Sequence, residues 1–202
     1  MGINDEILKK IIDIELEMFI AVNSRQESGC QKHPESFRLH RWVQFLPWSY
    51  EALLSYLNDL IRAKSEGQNL MTLKYARMEN LIPNINRNPL IDKIVSIQHN
   101  WQSEMFSKYP YFMRGARPLS STVKTSMMTS FETYLRGELE TYSDKTLSLL
   151  FADIEYMIDK GINMAEETYK ALVRASGIKS LEEAEKLKRK RMSSETQCKN
   201  FT

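Results

Sequence analysis

Glu15 occupies a position that helical spacing assigns to the core. At a period of 3.6 residues, Leu8, Ile11, Ile12, Met18, Phe19 and Val22 share one face, and Glu15 lies in the middle of it. The pattern recurs where Met127, Met128, Phe131, Tyr134, Leu135 and Tyr142 form a stripe that contains Glu138. A carboxylate in an apolar stripe needs a partner, a proton or a ligand, because burying it alone and ionised is very costly. Two chemistries follow. Burial raises a carboxyl pKa toward neutrality, which suits a general acid, a general base or a ligand anchor. A buried ion pair, or a hydrogen bond to a nearby Tyr or loop, meets the same need without catalysis.

Several polar residues stand close enough in pattern to serve either chemistry. Lys74 is flanked by Met71, Tyr75 and Met78, and Arg77 by Leu70, Leu73 and Leu81. These cations are snorkelling side chains, counter-charges for Glu15 and Glu138, or binders of an anionic group. Arg114 and Arg117 flank Gly115 in a loop-like stretch, and Arg38 and Arg41 lie in another; each is a candidate clamp for a carboxylate or phosphate. Gln98 intrudes on the stripe of Ile91, Ile94, Val95, Trp101 and Met105. Around Arg136, Glu132 and Glu140 lie at i−4 and i+4, the spacing of surface pairs.

Other chemistries find less support. The histidines are His33, His40 and His99, with no Glu-x-x-His pair for a di-iron bundle. A zinc site at Cys30, His33 and His40 lacks a fourth ligand, so no metal and no cofactor is expected. Lys32 and His33 would permit a reactive Cys30 thiol. Phosphate-cradling glycine loops, serine elbows and dinucleotide fingerprints are absent.

Helices must position these residues. Of 202 residues, 42% are hydrophobic and 27% charged, with only 7 Gly and 6 Pro and no strongly alternating segment. That composition points to an all-α protein, a single-domain bundle of about seven or eight helices over residues 1–192 with a polar tail at 193–202. Caps are read at Ser49, Ser143, Asn163 and Ser180. Residues 24–48 and 108–125 read as two long irregular segments, the first ending in Trp42, Phe45 and Trp48. No run approaches the roughly 18 apolar residues of a membrane span, so no membrane partner is expected. Two cysteines, the second at Cys198, argue against a structural disulfide and for a cytoplasmic setting. A net charge of +2 makes nucleic acid an unexpected partner, although Lys186, Lys188, Arg189, Lys190 and Arg191 form a basic run near the end.

The stretches Ile14-Glu-Leu-Glu-Met-Phe19, Cys30-Gln31, Ser55-Tyr-Leu-Asn-Asp-Leu60, Lys74-Tyr-Ala-Arg-Met78, Arg117-Pro-Leu119, Thr133-Tyr-Leu-Arg-Gly-Glu-Leu-Glu-Thr-Tyr-Ser143 and Ser180-Leu-Glu-Glu-Ala-Glu185 resemble, in order, the bacterial domain-of-unknown-function family four-one-two-five. The resemblance covers nearly the whole chain. It implies a bacterial source and no particular activity. Where the family pattern has glycines before the Cys-Gln pair, this chain has Ser28 and Gly29.

Two functions remain open from the residues. One is a small helical enzyme with Glu15 and Glu138 as acid/base groups. Arg41, Lys74, Arg77 and Arg114 would bind a small polar or anionic molecule that Gln98 and Tyr134 position. The other is a non-catalytic helical module that binds a ligand or partner, its buried charges forming a structural network. A solvent-connected hollow faced by both carboxylates distinguishes the first from the second.

Overall fold

The computed structural model describes residues 3–22, 33–120 and 129–199, without the side chains of 195–199. These residues form nine α-helices: α1 Ile3–Ile20, α2 Pro34–Phe45, α3 Tyr50–Ser65, α4 Leu70–Met78, α5 Leu90–Lys108, α6 Phe131–Leu139, α7 Asp144–Asp159, α8 Met164–Ala175 and α9 Leu181–Lys199. The expected caps hold. Ser49, Ser143, Asn163 and Ser180 each accept from the backbone N–H three residues on, and so do Asn69 and Ser130. Each satisfies an orphan donor of the first turn. Gly67, at φ +69°, turns the chain out of α3 in the left-handed region that a side chain resists.

The helix count exceeds the expected seven or eight because residues 24–48 are not wholly irregular. Pro34 opens α2 in the first turn, and Arg41, Val43 and Phe45 are its buried residues. Arg41 stands in the apolar face, so hydrophobic periodicity alone misses the helix. The second segment holds only a single turn, Met113–Gly115, within its described part. Residues 121–128, and with them Met127 and Met128 of the expected second stripe, lie outside the described residues, as does Cys30. The expected polar tail begins as helix, since α9 continues to Lys199.

One apolar cluster runs through the core. It draws Ile11, Phe19, Phe45, Leu53, Leu60, Ile94, Met105, Leu139, Leu147, Leu150 and Ile154 from six of the helices. Helix α1 packs on α2, α3 and α4; α4 and α5 both pack on α6; α8 packs on α2, α5 and α9. The α4–α6 approach depends on Gly137. A Cβ there would lie 2.9 Å from Met78 Cγ and 3.1 Å from the Lys74 carbonyl oxygen. Among the described residues no helix is long and apolar enough to cross a membrane.

Candidate functional site

Glu15 and Glu138 meet across a single guanidinium. Arg41, from α2, donates its Nε to Glu15 Oε2 at 2.7 Å and its Nη2 to Glu15 Oε1, a two-pronged clamp. Its Nη1 donates to Glu138 Oε1 at 2.9 Å and to Gln44 Oε1 at 2.7 Å. The second cation is Lys74 of α4, whose Nζ donates to Glu138 Oε2 at 2.5 Å. Neutral donors complete both carboxylates. The Tyr56 hydroxyl reaches Glu15 Oε1 at 2.6 Å, while the Tyr142 hydroxyl and Gln44 Nε2 reach Glu138 Oε1 at 2.8 and 2.9 Å. Two carboxylates and two cations thus form a neutral quartet that ties together α1, α2, α3, α4 and α6.

This quartet is buried. Glu15 is 0% exposed, and Arg41, Lys74 and Glu138 are 2–3% exposed. Aromatic rings wall it in, with Arg41 4.6 Å from the Phe45 ring centre and Lys74 3.7 Å from that of Tyr134. Burial alone would push the Glu138 carboxyl up, but the Arg41 and Lys74 charges, with hydrogen bonds from Lys74 and Tyr142, hold it well below the usual glutamate range. Burial opposes the charge on Arg41 and on Lys74 too, yet Glu138, joined by Glu15 at Arg41, raises both. Burial and then the neighbouring carboxylate push the phenols of Tyr56 and Tyr142 well above their ordinary range, so both stay protonated donors. A carboxylate held as low as Glu138 is a weak general base near neutral pH.

Of the remaining expected site residues, Arg77, Gln98 and Arg114 lie elsewhere. Arg77 clamps Glu140, with Nε to Oε2 at 2.5 Å and Nη2 to Oε1 at 3.1 Å. It also donates to the Ile82 carbonyl and to Asn84, so it organises the loop after α4. Gln98 is half-buried against Met164 Sδ, at 3.8 Å. Arg114 is exposed and donates to Met192 Sδ on α9. Tyr134 does border the quartet, its ring taking Lys74 and, at 4.5 Å, Arg117. Four residues escaped the sequence reading. Tyr56 and Asp59 sit on the inward face of α3 and carry a visible signal, being polar at core spacing; Gln44 carries none. The i,i+4 spacing suggests a surface pair of Glu140 with Arg136, but Arg136 pairs with Asp92 and Glu140 is 2% exposed.

Neither Glu15 nor Glu138 lines the cleft or the groove described next. A cleft of about 340 Å³ is lined by Asp59, Arg62, Asn86, Glu140, Thr141 and Ser143 among others. Its buried carboxylates are already engaged. Asp59 accepts from the Ser143 N–H at 3.0 Å and from Thr146 Oγ1 at 2.6 Å, and Glu140 accepts from Arg77 and the Ile85 N–H. A shallower groove of about 510 Å³ lies between α1 and α2, beside Ile12, Arg38, Leu39 and Trp42. No cluster of three metal-ligating side chains occurs among the described residues. His40, one of the residues considered for zinc, has its Nδ1 2.7 Å from the Ser36 carbonyl.

Fold and site together define an all-helical protein with a buried, charge-neutral ion-pair network at its centre. A family model described as Protein of unknown function (DUF4125) matches residues 5–186, and the chain belongs to that family. No curated protein and no solved structure matches it.

Proposed function

We propose that the protein is a non-catalytic helical module whose buried quartet locks five helices in register, leaving binding to its surface. The observation that carries this reading is the saturation of both carboxylates. Each oxygen of Glu15 and Glu138 accepts a hydrogen bond from a side chain of the protein itself. That leaves no evident edge for a substrate proton. The depressed Glu138 pKa supports the same reading, as do a cleft and a groove that neither carboxylate lines.

One observation favours the enzyme as a second reading. Tyr75 and Tyr134 stand half-buried beside the quartet, and neither hydroxyl has a hydrogen-bond partner among the described residues. In that reading Glu15 and Glu138 remain the acid/base pair, with Arg41, Lys74 and Tyr134 meeting a small anion; Arg77, Gln98 and Arg114 fall outside.

Urea unfolding of Glu15→Gln and Glu138→Gln tests the structural role. Either substitution strands a buried cation, so each is expected to lower stability by about 3–5 kcal/mol. A loss below about 1 kcal/mol in both would overturn the lock. A thermal-shift panel of small carboxylates and phosphates tests the second reading. That reading gains if one stabilises the protein and Tyr134→Phe abolishes the shift at unchanged stability.

A further inference from the structure

The net charge of +2 conceals a segregation. Five cations fall within residues 186–191, so of 28 basic residues 23 remain elsewhere, against 26 acidic ones. The rest of the molecule is therefore acidic, and one short helical stretch is strongly basic. The first turn of α9 is docked, with Leu181 and Ala184 buried. From Lys186 to Arg191 every residue is exposed. Lys186, Lys188, Arg189 and Lys190 enter no ion pair among the described residues, and no acidic residue occurs between Lys186 and Ser194. At 100° per residue these cations point to several sides of the helix rather than along one stripe. The family match ends at residue 186, where the basic run begins.

Contacts with the turn at 111–114 hold this stretch. Arg189 lies 5.6 Å from the Tyr111 ring centre, and Arg114 donates to Met192 Sδ. Exposed Arg114 thereby joins the basic surface.

We propose that the basic part of α9, with Arg114, binds duplex nucleic acid through its phosphates, independently of base sequence. The inference rests on the binding-module reading and names its partner. Three physical arguments select this partner. An α-helix about 10–12 Å across fits a major groove about 12 Å wide, and cations on several sides then reach phosphates on both strands. A helix that lies on a membrane needs an apolar face, whereas residues 186–194 offer only Leu187 and Met192. An acidic protein partner would find no buried aromatic or aliphatic anchor on this stretch, the feature that concentrates binding energy at protein interfaces.

Fluorescence anisotropy of a labelled 20-base-pair DNA duplex, titrated with the full chain, tests the proposal. Contact with about three or four phosphates makes the affinity fall on the order of 10²-fold between 50 and 200 mM salt. The double variant Lys188→Glu/Lys190→Glu, both sites exposed, is expected to weaken binding at least 10-fold at 50 mM salt while leaving the unfolding curve unchanged. Absence of binding at 50 mM salt, or binding that ignores both salt and the charge reversal, overturns the proposal. So does tighter binding to anionic vesicles or to a poly-glutamate peptide than to the duplex. Those failures leave the quartet untouched, because that reading is measured by the stability of the Glu15 and Glu138 variants.

Discussion

Arg41 decides what Glu15 and Glu138 are. A guanidinium that offers one edge to each carboxylate turns two isolated charges into a shared lattice, with Lys74 supplying the fourth charge. Such a lattice makes stability depend on pH, and on the acid side Glu138 sets that dependence. The folded pKa of Glu138 is below the ordinary value of 4.5, so over that interval the unfolded chain binds the extra proton. Its contribution is therefore complete above about pH 4.5 and is lost as pH falls through the window beneath. Urea midpoints are expected to hold steady from pH 7 to about pH 5.5 and to drop steeply below about pH 4.5. Asp144, Glu166 and Glu182 are also lowered; Asp144 and Glu182 are exposed, where water and salt screen them, whereas Glu166 is part-buried and pairs with Lys108 and Lys170. The comparison that isolates the quartet is consequently the slope: Glu138→Gln should show a shallower acid limb than the parent. Equal slopes would mean that Glu138 contributes nothing to acid sensitivity.

At the scale of elements, Gly137 decides how near α4 comes to α6. Met78 and the Lys74 carbonyl occupy the space a methyl group would need, and the Lys74–Glu138 pair crosses the same seam. Gly137→Ala gains intrinsic helix propensity of about 1 kcal/mol. Steric displacement works against it, and overpacking of this kind costs typically 1–3 kcal/mol. Because the contact involves backbone oxygen as well as a flexible Met, a net loss of about 1–2 kcal/mol is expected in chemical denaturation. A stabilised variant would show that the seam yields freely. The helices were largely legible in the residues, since caps such as Ser143 and stripes such as Ile11–Phe19 are local signals. The polar intrusions at Glu15, Glu138 and Lys74 were legible for the same reason. Their partners were not. Arg41 lies 26 positions from Glu15 and 97 from Glu138, and only packing brings those three together. The same cation hid α2 by interrupting its apolar face. Glu140 misled in the opposite way, because an i,i+4 spacing to Arg136 suggested a surface pair while tertiary packing gave it to Arg77.

The whole molecule divides its charge unevenly, and that division separates what folds it from what it can touch. Residues 186–202 carry 6 of the 28 basic residues and 1 of the 26 acidic ones, so residues 1–185 carry a net charge of −3. The exposed run 186–191 buries no apolar side chain, and its described ties to the body are slight. A cation over an exposed ring is worth roughly 0.5–1 kcal/mol. Truncation after Glu185 is therefore expected to leave urea stability within about 1 kcal/mol of the full chain, because Leu181 and Ala184 keep α9's first turns seated on the core. The same truncation should move the isoelectric point from 8.4 to the acid side of neutrality. Ion-exchange retention and equilibrium unfolding, measured on one preparation, report the two effects separately. A truncated chain that unfolds several kcal/mol more easily would mean that the basic stretch is part of the core's support, and its cations would then have a structural role.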